Sequence, residues 1–310
     1  MGIGPLVSVI IPTHNRAALL PRAIRSVLGQ TYQHLECIVV DDASSDDTSE
    51  VVRQFDDDRL VYLRHQANRG GSASRNTGIA AAQGSLIAFL DDDDEWLPRK
   101  LEEQVALMES APLDVGVVHC LHYTVTEERN PAQNGGAPAF TGEVYSRLLQ
   151  GECPSSTSLC LVRRQCFEVC GGFDETLPSF QDYDLWLRVS QSYCFACVEQ
   201  PLAILHRHGG SRISRDMEPR KAGLDRILSK WGPEIRRHHG AAGYRQLKRR
   251  FLVPIHVNAA RQALRDGRPG MATGHVLQAI WLQPTRLRKN GSLVLELSQG
   301  TQLARRMCAQ

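Results

Sequence analysis

One stretch decides the fold: residues 86–98 read LIAFLDDDDEWLP. Five apolar residues predict a buried strand, and four aspartates, Asp91–Asp94, follow it directly. Because open α/β sheets bind ligands at the carboxyl ends of their strands, we expect these carboxylates to line a ligand site. Adjacent carboxylates repel one another, and their oxygens suit a hard divalent cation such as Mg²⁺ or Mn²⁺. The alternative is a solvated acidic turn ahead of a helix that begins at Pro98.

The composition is that of an ordinary globular protein. The chain has 310 residues, of which 42% are apolar and 23% charged. Residues 1–9 show no basic segment followed by an apolar one, so we expect no secretory signal. The nine cysteines then indicate a reduced protein of the cytoplasm. Cys194 and Cys197 have the spacing of a metal knuckle, but no second pair follows, so we expect no zinc site there.

Charge is distributed unevenly along the chain. Residues 1–204 carry 15 Lys and Arg against 28 Asp and Glu, a balance of −13, whereas residues 205–310 carry 21 against 6, a balance of +15. We therefore expect an acidic, metal-binding part and a basic part that meets something anionic. Basic clusters beside apolar helical positions suggest peripheral contact with an anionic membrane, and a solvated helical lid is the alternative. No recognition motif accompanies the charge, so we expect no nucleic acid partner.

Hydrophobic patterning predicts alternating strands and helices before the aspartates. Strands are predicted at residues 7–12, 35–40, 60–63 and 86–90, with a helix after each of the first three. The third helix is expected to end at Gly84. Short helices between strands favour right-handed crossovers, so the predicted fold class is α/β with a mainly parallel sheet.

The second half of the chain is less regular. Further strands are predicted at residues 115–120, 158–162 and 194–205, with helices at 98–108, 163–170 and 181–190. Residues 126–142 are rich in Asn, Gly, Pro and Ala and predict a surface loop between hairpin-like strands. From about Met217 the pattern is helical to the end. Helix breaks are expected near Gly232-Pro233, Gly267–Gly270 and Gln283-Pro284.

Six motifs follow one another in a fixed order between residues 5 and 215. They are VSVIIPTHNR at 7–16, VDDASSDDT at 40–48, NRGG at 68–71 with RNTG at 75–78, FLDDDDEWLP at 89–98, GGFDE at 171–175 and QDYDLWLR at 181–188. This set resembles the family 2 glycosyltransferases of the GT-A fold. The resemblance implies a GT-A domain at residues 1–215, a nucleotide-sugar donor, a divalent metal and inversion at the anomeric carbon. Residues 216–310, a basic helical extension, resemble no family that we can name.

The resemblance also implies which residues hold the donor. Asp42 is expected to accept a hydrogen bond from the imide N–H of the nucleobase, and Asp41 could share that role. The alternative is that both aspartates only cap the next helix. Arg75 is expected to reach the diphosphate, with an ordinary surface arginine as the alternative. The remaining residues expected at the donor are Pro12, Thr13, Asn15, Arg16, Asp91, Asp92, Asp93 and Arg212.

The run of aspartates leaves the register of the metal site open. Asp91 and Asp93 fit an Asp-x-Asp pattern, whereas Asp92 and Asp93 fit a paired one. Asp93 belongs to both patterns and is the expected ligand of Mn²⁺ or Mg²⁺, which would neutralise the departing diphosphate. We therefore expect Asp93→Ala to abolish transfer and Asp94→Ala to be milder. His208 is the second expected metal ligand, and an ordinary hydrogen-bonded histidine is its alternative.

Asp182 matches the position of the base that removes the proton of the acceptor hydroxyl. Its neighbour Gln181 departs from the glutamate that is commoner in the family, which leaves the role of that position open. Asp184 is the competing candidate and is expected to bond locally. Trp96 and Trp186 are expected to pack in the core rather than stack on a sugar.

The predicted function is that of an inverting, metal-dependent glycosyltransferase. A UDP-sugar is the expected donor, and a hydroxyl of a saccharide or of a lipid-linked acceptor is the expected nucleophile. The expected setting is cell-surface polysaccharide or glycolipid synthesis, in the cytoplasm or at the inner face of the plasma membrane. The alternatives are a non-catalytic scaffold that binds nucleotide sugars and a nucleotidyltransferase. A nucleotidyltransferase is not favoured, because we see no Gly-rich basic loop near the N-terminus.

Overall fold

The computed structural model describes residues 4–126, 129–135, 139–153, 156–207 and 216–283. The strands are β1 (Val7–Thr13), β2 (Leu35–Asp41), β3 (Leu60–Arg64), β4 (Leu86–Phe89), β5 (Glu95–Trp96), β6 (Val115–Thr126), β7 (Arg129–Gly135), β8 (Cys160–Arg163) and β9 (Cys194–Arg207). The helices are α1 (Leu20–Leu28), α2 (Thr48–Arg53), α3 (Gly71–Ala81), α4 (Lys100–Ser110), α5 (Tyr145–Leu149), α6 (Arg164–Cys170), α7 (Gln181–Val189), α8 (Met217–Arg265) and α9 (Pro269–Leu282). A short 3-10 helix, Thr157–Leu159, precedes β8.

All the strands described belong to one sheet, with the order β3-β2-β1-β4-β8-β6-β9-β5 and with β7 paired to β6. β1 runs parallel to both β2 and β4, and β2 runs parallel to β3. The carboxyl ends of β1, β2 and β4 therefore meet at one edge, as the sequence predicts. The α/β class is confirmed. Parallel pairing dominates the first four strands, whereas β8 runs antiparallel to β4 and β6, so the sheet as a whole is mixed.

The buried face of α1 and a close contact of α3 hold the helices on the sheet. Leu20, Ile24 and Val27 of α1 are fully buried, as their spacing predicts. A Cβ atom on Gly78 of α3 would lie 2.4 Å from Cγ2 of Ile10 in β1. Only a glycine allows the helix to approach the strand at this distance.

Two sequence expectations in this part are wrong. The third helix ends at Ala81 instead of Gly84, and a Cβ atom on Gly84 would lie 2.4 Å from the carbonyl oxygen of Leu6. Gly84 is thus required by a close backbone approach, not by a helix end. Residues 126–142 include β7, which pairs with β6 alone. An edge strand tolerates Pro131 and glycine, and for this reason its composition resembles that of a loop.

The chain forms two compact units. The first comprises Met1–Leu148, Cys153–Thr176 and Gln181–Gly209, and the second comprises Leu149–Glu152, Leu177–Phe180 and Gly210–Gln310. The boundary expected at residues 215 and 216 stays a prediction. Within the described ranges, no helix is both long enough and apolar enough to cross a membrane.

The second unit contains the long helix α8 and the shorter α9. The break expected at Gly232-Pro233 is wrong, because α8 continues through Pro233. A proline removes one hydrogen bond, and a helix can kink and continue. The interruption lies at Gly240, where φ is 65° and glycine is favoured. The break near Gly267–Gly270 is confirmed, since α8 ends at Arg265 and α9 begins at Pro269. The break expected at Gln283-Pro284 coincides with the end of the described residues.

Candidate active site

The loop after β1 and the acidic turn after β4 are joined by hydrogen bonds. The hydroxyl of Thr13 donates to Oδ2 of Asp92 at 2.8 Å. Nη1 of Arg16 donates to Oδ1 of Asp92 at 2.7 Å and to Oδ2 of Asp93 at 3.1 Å. Nη2 of Arg22, in α1, donates to the carbonyl oxygen of Asp93 at 2.5 Å. Four of the residues expected at the donor, Thr13, Arg16, Asp92 and Asp93, thus lie side by side at the sheet edge.

Asp92 differs from the other aspartates of the turn. The residue is 4% exposed, and its carboxylate bonds to Thr13 at the end of β1 and to Arg16 in the loop that follows. Burial raises the pKa of Asp92 to about 6, although Arg16 and Thr13 oppose the shift. Its contacts are therefore those of a link between two loops.

The other three carboxylates form a group. Each of Asp91, Asp93 and Asp94 offers one carboxylate oxygen, and these three oxygens lie within 4.8 Å of one another. Within the described residues, this is the one group of three or more side chains that is close enough to share a metal ion. Oxygens bound to one Mg²⁺ at about 2.1 Å lie at most ~4.2 Å apart, so a small closure would suit the group to a cation. This geometry favours the Asp-x-Asp register and adds Asp94 to it.

The RNTG and GGFDE motifs meet beside this group. Nη2 of Arg75 donates to Oδ1 of Asp91 at 2.6 Å, and its guanidinium lies 5.6 Å from the ring centroid of Phe173. Asn76 fixes the same loop, because its amide oxygen accepts from the backbone N–H of Phe173 at 2.8 Å. Arg75 is mostly buried and ion-paired, so it is not an ordinary surface arginine.

Asp94 is held by residues that the sequence does not single out. Its Oδ2 accepts from the hydroxyl of Ser158 at 2.8 Å, and its Oδ1 accepts from the backbone N–H of His206 at 3.3 Å. The ring of His206 contacts Glu95, with Nε2 and Oε2 3.2 Å apart. The structure thus brings His206, two residues before the expected ligand His208, to the acidic turn. His208 and Arg212 lie outside the described residues.

Asp42 organises the NRGG loop. Its carboxylate accepts from the backbone N–H groups of Arg69 at 2.8 Å and Gly70 at 2.7 Å, and it contacts Nδ1 of His65 at 2.7 Å. Burial opposes ionisation, but these hydrogen bonds outweigh it and lower the pKa of Asp42 below its usual value. Its contact with a nucleobase stays a prediction.

The helix-cap alternative for Asp41 and Asp42 is wrong. Asp41 accepts from the hydroxyl of Tyr62 at 2.5 Å and from the backbone N–H of Ser44 at 2.8 Å. Asp46 is the residue that accepts from the backbone N–H of Thr48, the first residue of α2, at 3.2 Å. Both aspartates at the end of β2 therefore shape the site's loops.

Asn15 joins the loops after β1 and β2. Its side-chain oxygen accepts from the backbone N–H of Ser45 at 2.7 Å, and its backbone N–H donates to the hydroxyl of Ser44 at 2.9 Å. Its φ of 52° is uncommon for a residue other than glycine, although asparagine tolerates it. Pro12 lies one residue before the end of β1, opposite Val40.

The two aspartates of α7 have different surroundings. Asp184 is buried, and its Oδ2 lies 2.9 Å from Nε of Arg188, one helical turn later. Arg188 in turn donates to the carbonyl oxygens of Cys170 and Gly172. Asp182 is half-buried in the first turn, and its Oδ1 accepts from the backbone N–H of Tyr183 at 2.8 Å. Local bonding of Asp184 is confirmed, which leaves Asp182 as the candidate base.

Packing roles for both tryptophans are confirmed. Trp186 is fully buried and meets Phe195 edge to face, with ring centroids 6.0 Å apart. Trp96 is 2% exposed, and its indole N–H donates to the carbonyl oxygen of Ser158 at 2.7 Å. Neither ring is available to stack on a sugar.

Similar proteins identify the family. The sequence model of Glycosyl transferase family 2 matches residues 8–170. An uncharacterized glycosyltransferase of Rickettsia conorii is 30% identical over 72% of this chain. The match covers only 36% of that relative's own length. A colanic acid biosynthesis glycosyl transferase of Escherichia coli, WcaA, is 35% identical over 68% of this chain and 76% of its own length. WfgD of Escherichia coli, a glucosyltransferase, is 44% identical over 33% of this chain and 41% of its own length.

Solved structures share the fold. S. aureus TarS 1-349 in complex with UDP-GlcNAc has a TM-score of 0.59 and 17% identity, with 92% of each chain covered. The mannosyltransferase PcManGT of Pyrobaculum calidifontis, in complex with GDP-Man and Mn²⁺, has a TM-score of 0.58 and 21% identity, with 96% of this chain and 86% of that chain covered. The GT-A fold expected from the motifs is confirmed. With the family match over residues 8–170, this chain belongs to glycosyl transferase family 2.

Proposed function

We propose that this protein is an inverting glycosyltransferase that moves a sugar from a nucleotide donor, a UDP-sugar by preference, to a hydroxyl of a saccharide or lipid-linked acceptor. The observation that carries the proposal is the group of Asp91, Asp93 and Asp94, which follows β4 and is joined to the β1 loop by Arg16. Anionic ligands and a cation can meet there, because carboxylates and arginines lie next to one another.

The protein's own side chains would divide the work as follows. Asp42 would accept from the nucleobase, while Thr13, Asn15 and Asp41 keep the strand-end loops in place around it. Arg16 and Arg75, which bind carboxylates in this structure, carry guanidinium groups suited to a diphosphate. Asp182 would take the proton of the acceptor hydroxyl as its oxygen attacks the anomeric carbon and the bond from that carbon to the diphosphate oxygen breaks.

Asp91, Asp93 and Asp94 would hold Mn²⁺ or Mg²⁺, with His208 as a further expected ligand. Their oxygen donors suit either ion. When bound, the cation would neutralise the negative charge of the departing diphosphate. The solved complex of PcManGT contains Mn²⁺, which supports the choice of ion to test first.

The names of relatives guide the choice of acceptor. WfgD is named as transferring glucose from UDP-Glc to GlcNAc-diphosphoundecaprenol, and WcaA is named for colanic acid biosynthesis. We therefore propose a role in polysaccharide or glycolipid assembly, with a lipid-linked saccharide as the first acceptor to test.

A surface of α9 supports contact with an anionic membrane. Met271, Leu277 and Trp281 are 54%, 60% and 82% exposed, and α9 contains no Lys, Arg, Asp or Glu. Basic residues stand on both sides of it in the sequence, at Arg261, Arg265 and Arg268 and at Arg286, Arg288 and Lys289. An uncharged helix with an exposed tryptophan and basic flanks complements an anionic bilayer surface. We propose that the protein binds the inner leaflet through α9.

A thermal-shift and transfer experiment tests the function. The purified full chain is screened against UDP, GDP and dTDP and their sugars, with and without Mn²⁺, and nucleoside diphosphate release is measured. We expect one nucleotide to raise Tm in a Mn²⁺-dependent manner, and Asp93→Ala to lose that shift. Asp182→Asn should keep the shift and lose transfer.

Other outcomes would favour the rival functions. Binding without turnover, equal in wild type and Asp182→Asn, would indicate a non-catalytic scaffold. Release of pyrophosphate from a nucleoside triphosphate would indicate a nucleotidyltransferase.

A further inference from the structure

A buried serine bonds to both ends of the acidic turn. Ser158 lies in the 3-10 helix before β8 and is fully buried. Its hydroxyl oxygen accepts from the backbone N–H of Asp91 at 3.1 Å and donates to Oδ2 of Asp94 at 2.8 Å. The directions are fixed, because a backbone N–H can only donate and an ionised carboxylate can only accept. One hydroxyl therefore spans the turn from its first residue to its last.

Ser158 is itself held from two sides. Its carbonyl oxygen accepts from the indole N–H of Trp96 at 2.7 Å, and its backbone N–H donates to the hydroxyl of Ser156 at 3.1 Å. The ring of Trp96 is covered in turn by Nζ of Lys100, which lies 3.8 Å from the ring centroid. Because Ser158, Trp96 and Lys100 are buried, the hydroxyl cannot easily follow a displaced carboxylate.

The turn needs such an external support. Within the turn, a backbone hydrogen bond runs from the N–H of Asp94 to the carbonyl oxygen of Asp91, at 3.0 Å. Three carboxylates with oxygens within 4.8 Å of one another repel, which favours opening of the turn when no cation is bound. Arg75 and Arg16 offset part of this repulsion at Asp91 and Asp93. The bonds of Ser158 to Asp91 and Asp94 oppose that opening.

We propose that Ser158 is a positioning residue that holds Asp91 and Asp94 ready for a divalent cation. The inference rests on the proposed function, since it assumes that the acidic group binds Mn²⁺ or Mg²⁺. Ser158 does not touch the cation. It acts through the backbone of Asp91 and the carboxylate of Asp94, and groups of this kind typically change metal affinity 10–100-fold when they are removed.

The test measures Mn²⁺ binding to the full chain, by electron paramagnetic resonance of unbound Mn²⁺ and without nucleotide. We expect Ser158→Ala to raise Kd by about 10–100-fold and Ser158→Cys to lie between it and wild type, since a thiol is a weak donor. Ser190→Ala is the matched control, because Ser190 is also buried and its hydroxyl donates to the carbonyl oxygen of Leu187 in α7. Its Kd should equal that of wild type.

Transfer activity supplies a second readout. In Ser158→Ala the half-saturating Mn²⁺ concentration should rise while kcat at saturating Mn²⁺ changes little. A folded Ser158→Ala protein with wild-type Mn²⁺ affinity would overturn the proposal. If circular dichroism shows that Ser158→Ala is unfolded, Ser158→Cys takes its place, and wild-type Mn²⁺ affinity of the folded Ser158→Cys protein would overturn the proposal. Wild type without saturable Mn²⁺ binding would overturn both this proposal and the metal site of the proposed function.

Discussion

At the scale of single residues, neighbouring aspartates have different tasks. Asp92 bonds to Thr13 and Arg16, whereas Asp91, Asp93 and Asp94 converge. The expectation that Asp94→Ala is milder than Asp93→Ala stays a prediction, but Asp94 belongs to the converging group and receives the hydrogen bond of Ser158, so its substitution should still be measurable. The environment of each carboxylate, not its position in the run, decides its role.

Substitution of the aspartates tests this assignment. We expect Asp93→Ala to lower kcat/KM by at least about 10³-fold, because it removes a proposed metal ligand and about 4 kcal/mol of transition-state stabilisation. Asp94→Ala should lower it by about 10–100-fold and weaken Mn²⁺ binding. Asp56→Ala, at an exposed position, is the control and should be as active as wild type. Steady-state transfer kinetics give the ranking, and near-normal turnover of Asp93→Ala would contradict the proposed site.

At the scale of elements, two contacts fix the helices that flank the site. α3 carries Arg75 and Asn76 and touches β1 through Gly78. α4 carries Lys100, which is fully buried, donates to Oε1 of Gln104 at 2.7 Å and covers the ring of Trp96. Changes at either contact should affect stability in a way that can be measured.

Gly78→Ala is expected to destabilise the protein. The added methyl group would lie 2.4 Å from Cγ2 of Ile10, and overpacking of this kind costs about 1–3 kcal/mol. Gly274→Ala in α9 is the matched control, because nothing lies within 4 Å of its added Cβ. It should be neutral or stabilise by up to about 1 kcal/mol, the gain in helix propensity. Urea unfolding compares the two, and equal effects would disprove the close contact.

Lys100 predicts a pH dependence of stability. Burial lowers the pKa of Lys100 to about 8, below the 10.5 of an ordinary lysine. Between these values the unfolded chain binds more protons than the folded one, so the free energy of unfolding rises with pH. The free energy of unfolding of wild type, relative to that of Lys100→Met, should therefore rise by about 1 kcal/mol between pH 7 and pH 9. Urea unfolding at both pH values measures the difference, and parallel curves would show that Lys100 titrates normally.

At the scale of the whole molecule, an acidic site and a basic, partly apolar extension belong to one chain. The net charge of +2 is the sum of balances of −13 and +15 in its two parts. The exposed side chains of α9 form the surface that we propose for membrane contact. Such a contact would bring the enzyme to an acceptor anchored in lipid.

Liposome co-sedimentation tests that surface. Wild type should bind vesicles that contain anionic lipid and should bind neutral vesicles weakly, because both charge and apolar burial contribute. Trp281→Ala with Leu277→Ser should weaken binding by about tenfold or more, since burial of a large apolar side chain stabilises by ~1.5–3 kcal/mol. Leu113→Ser, at an apolar residue 84% exposed in the first unit, is the control. Equal sedimentation with neutral and anionic vesicles would contradict the membrane proposal.

The sequence by itself determined the order of strands and helices from β1 to β4, the strand-end position of Asp41, Asp42 and Asp91–Asp94, and the family. These follow from local patterning, because alternation, helical spacing and motif order are properties of neighbouring residues. Predictions from residue type were wrong where a tertiary contact explains the residue. Gly84 approaches the backbone of Leu6 and does not end a helix, and the loop-like residues of β7 pair with β6.

Only the tertiary structure decided which aspartates converge and what holds them. The hydroxyl of Thr13 reaches Asp92 across 79 residues, and that of Ser158 reaches Asp94 across 64. Hydrogen bonds between residues so far apart leave no local pattern, since each partner is an ordinary polar side chain until the sheet brings it to the site. The sequence could therefore locate the acidic turn, but the folded sheet determined that Asp92 faces the β1 loop and that Ser158 supports Asp91 and Asp94.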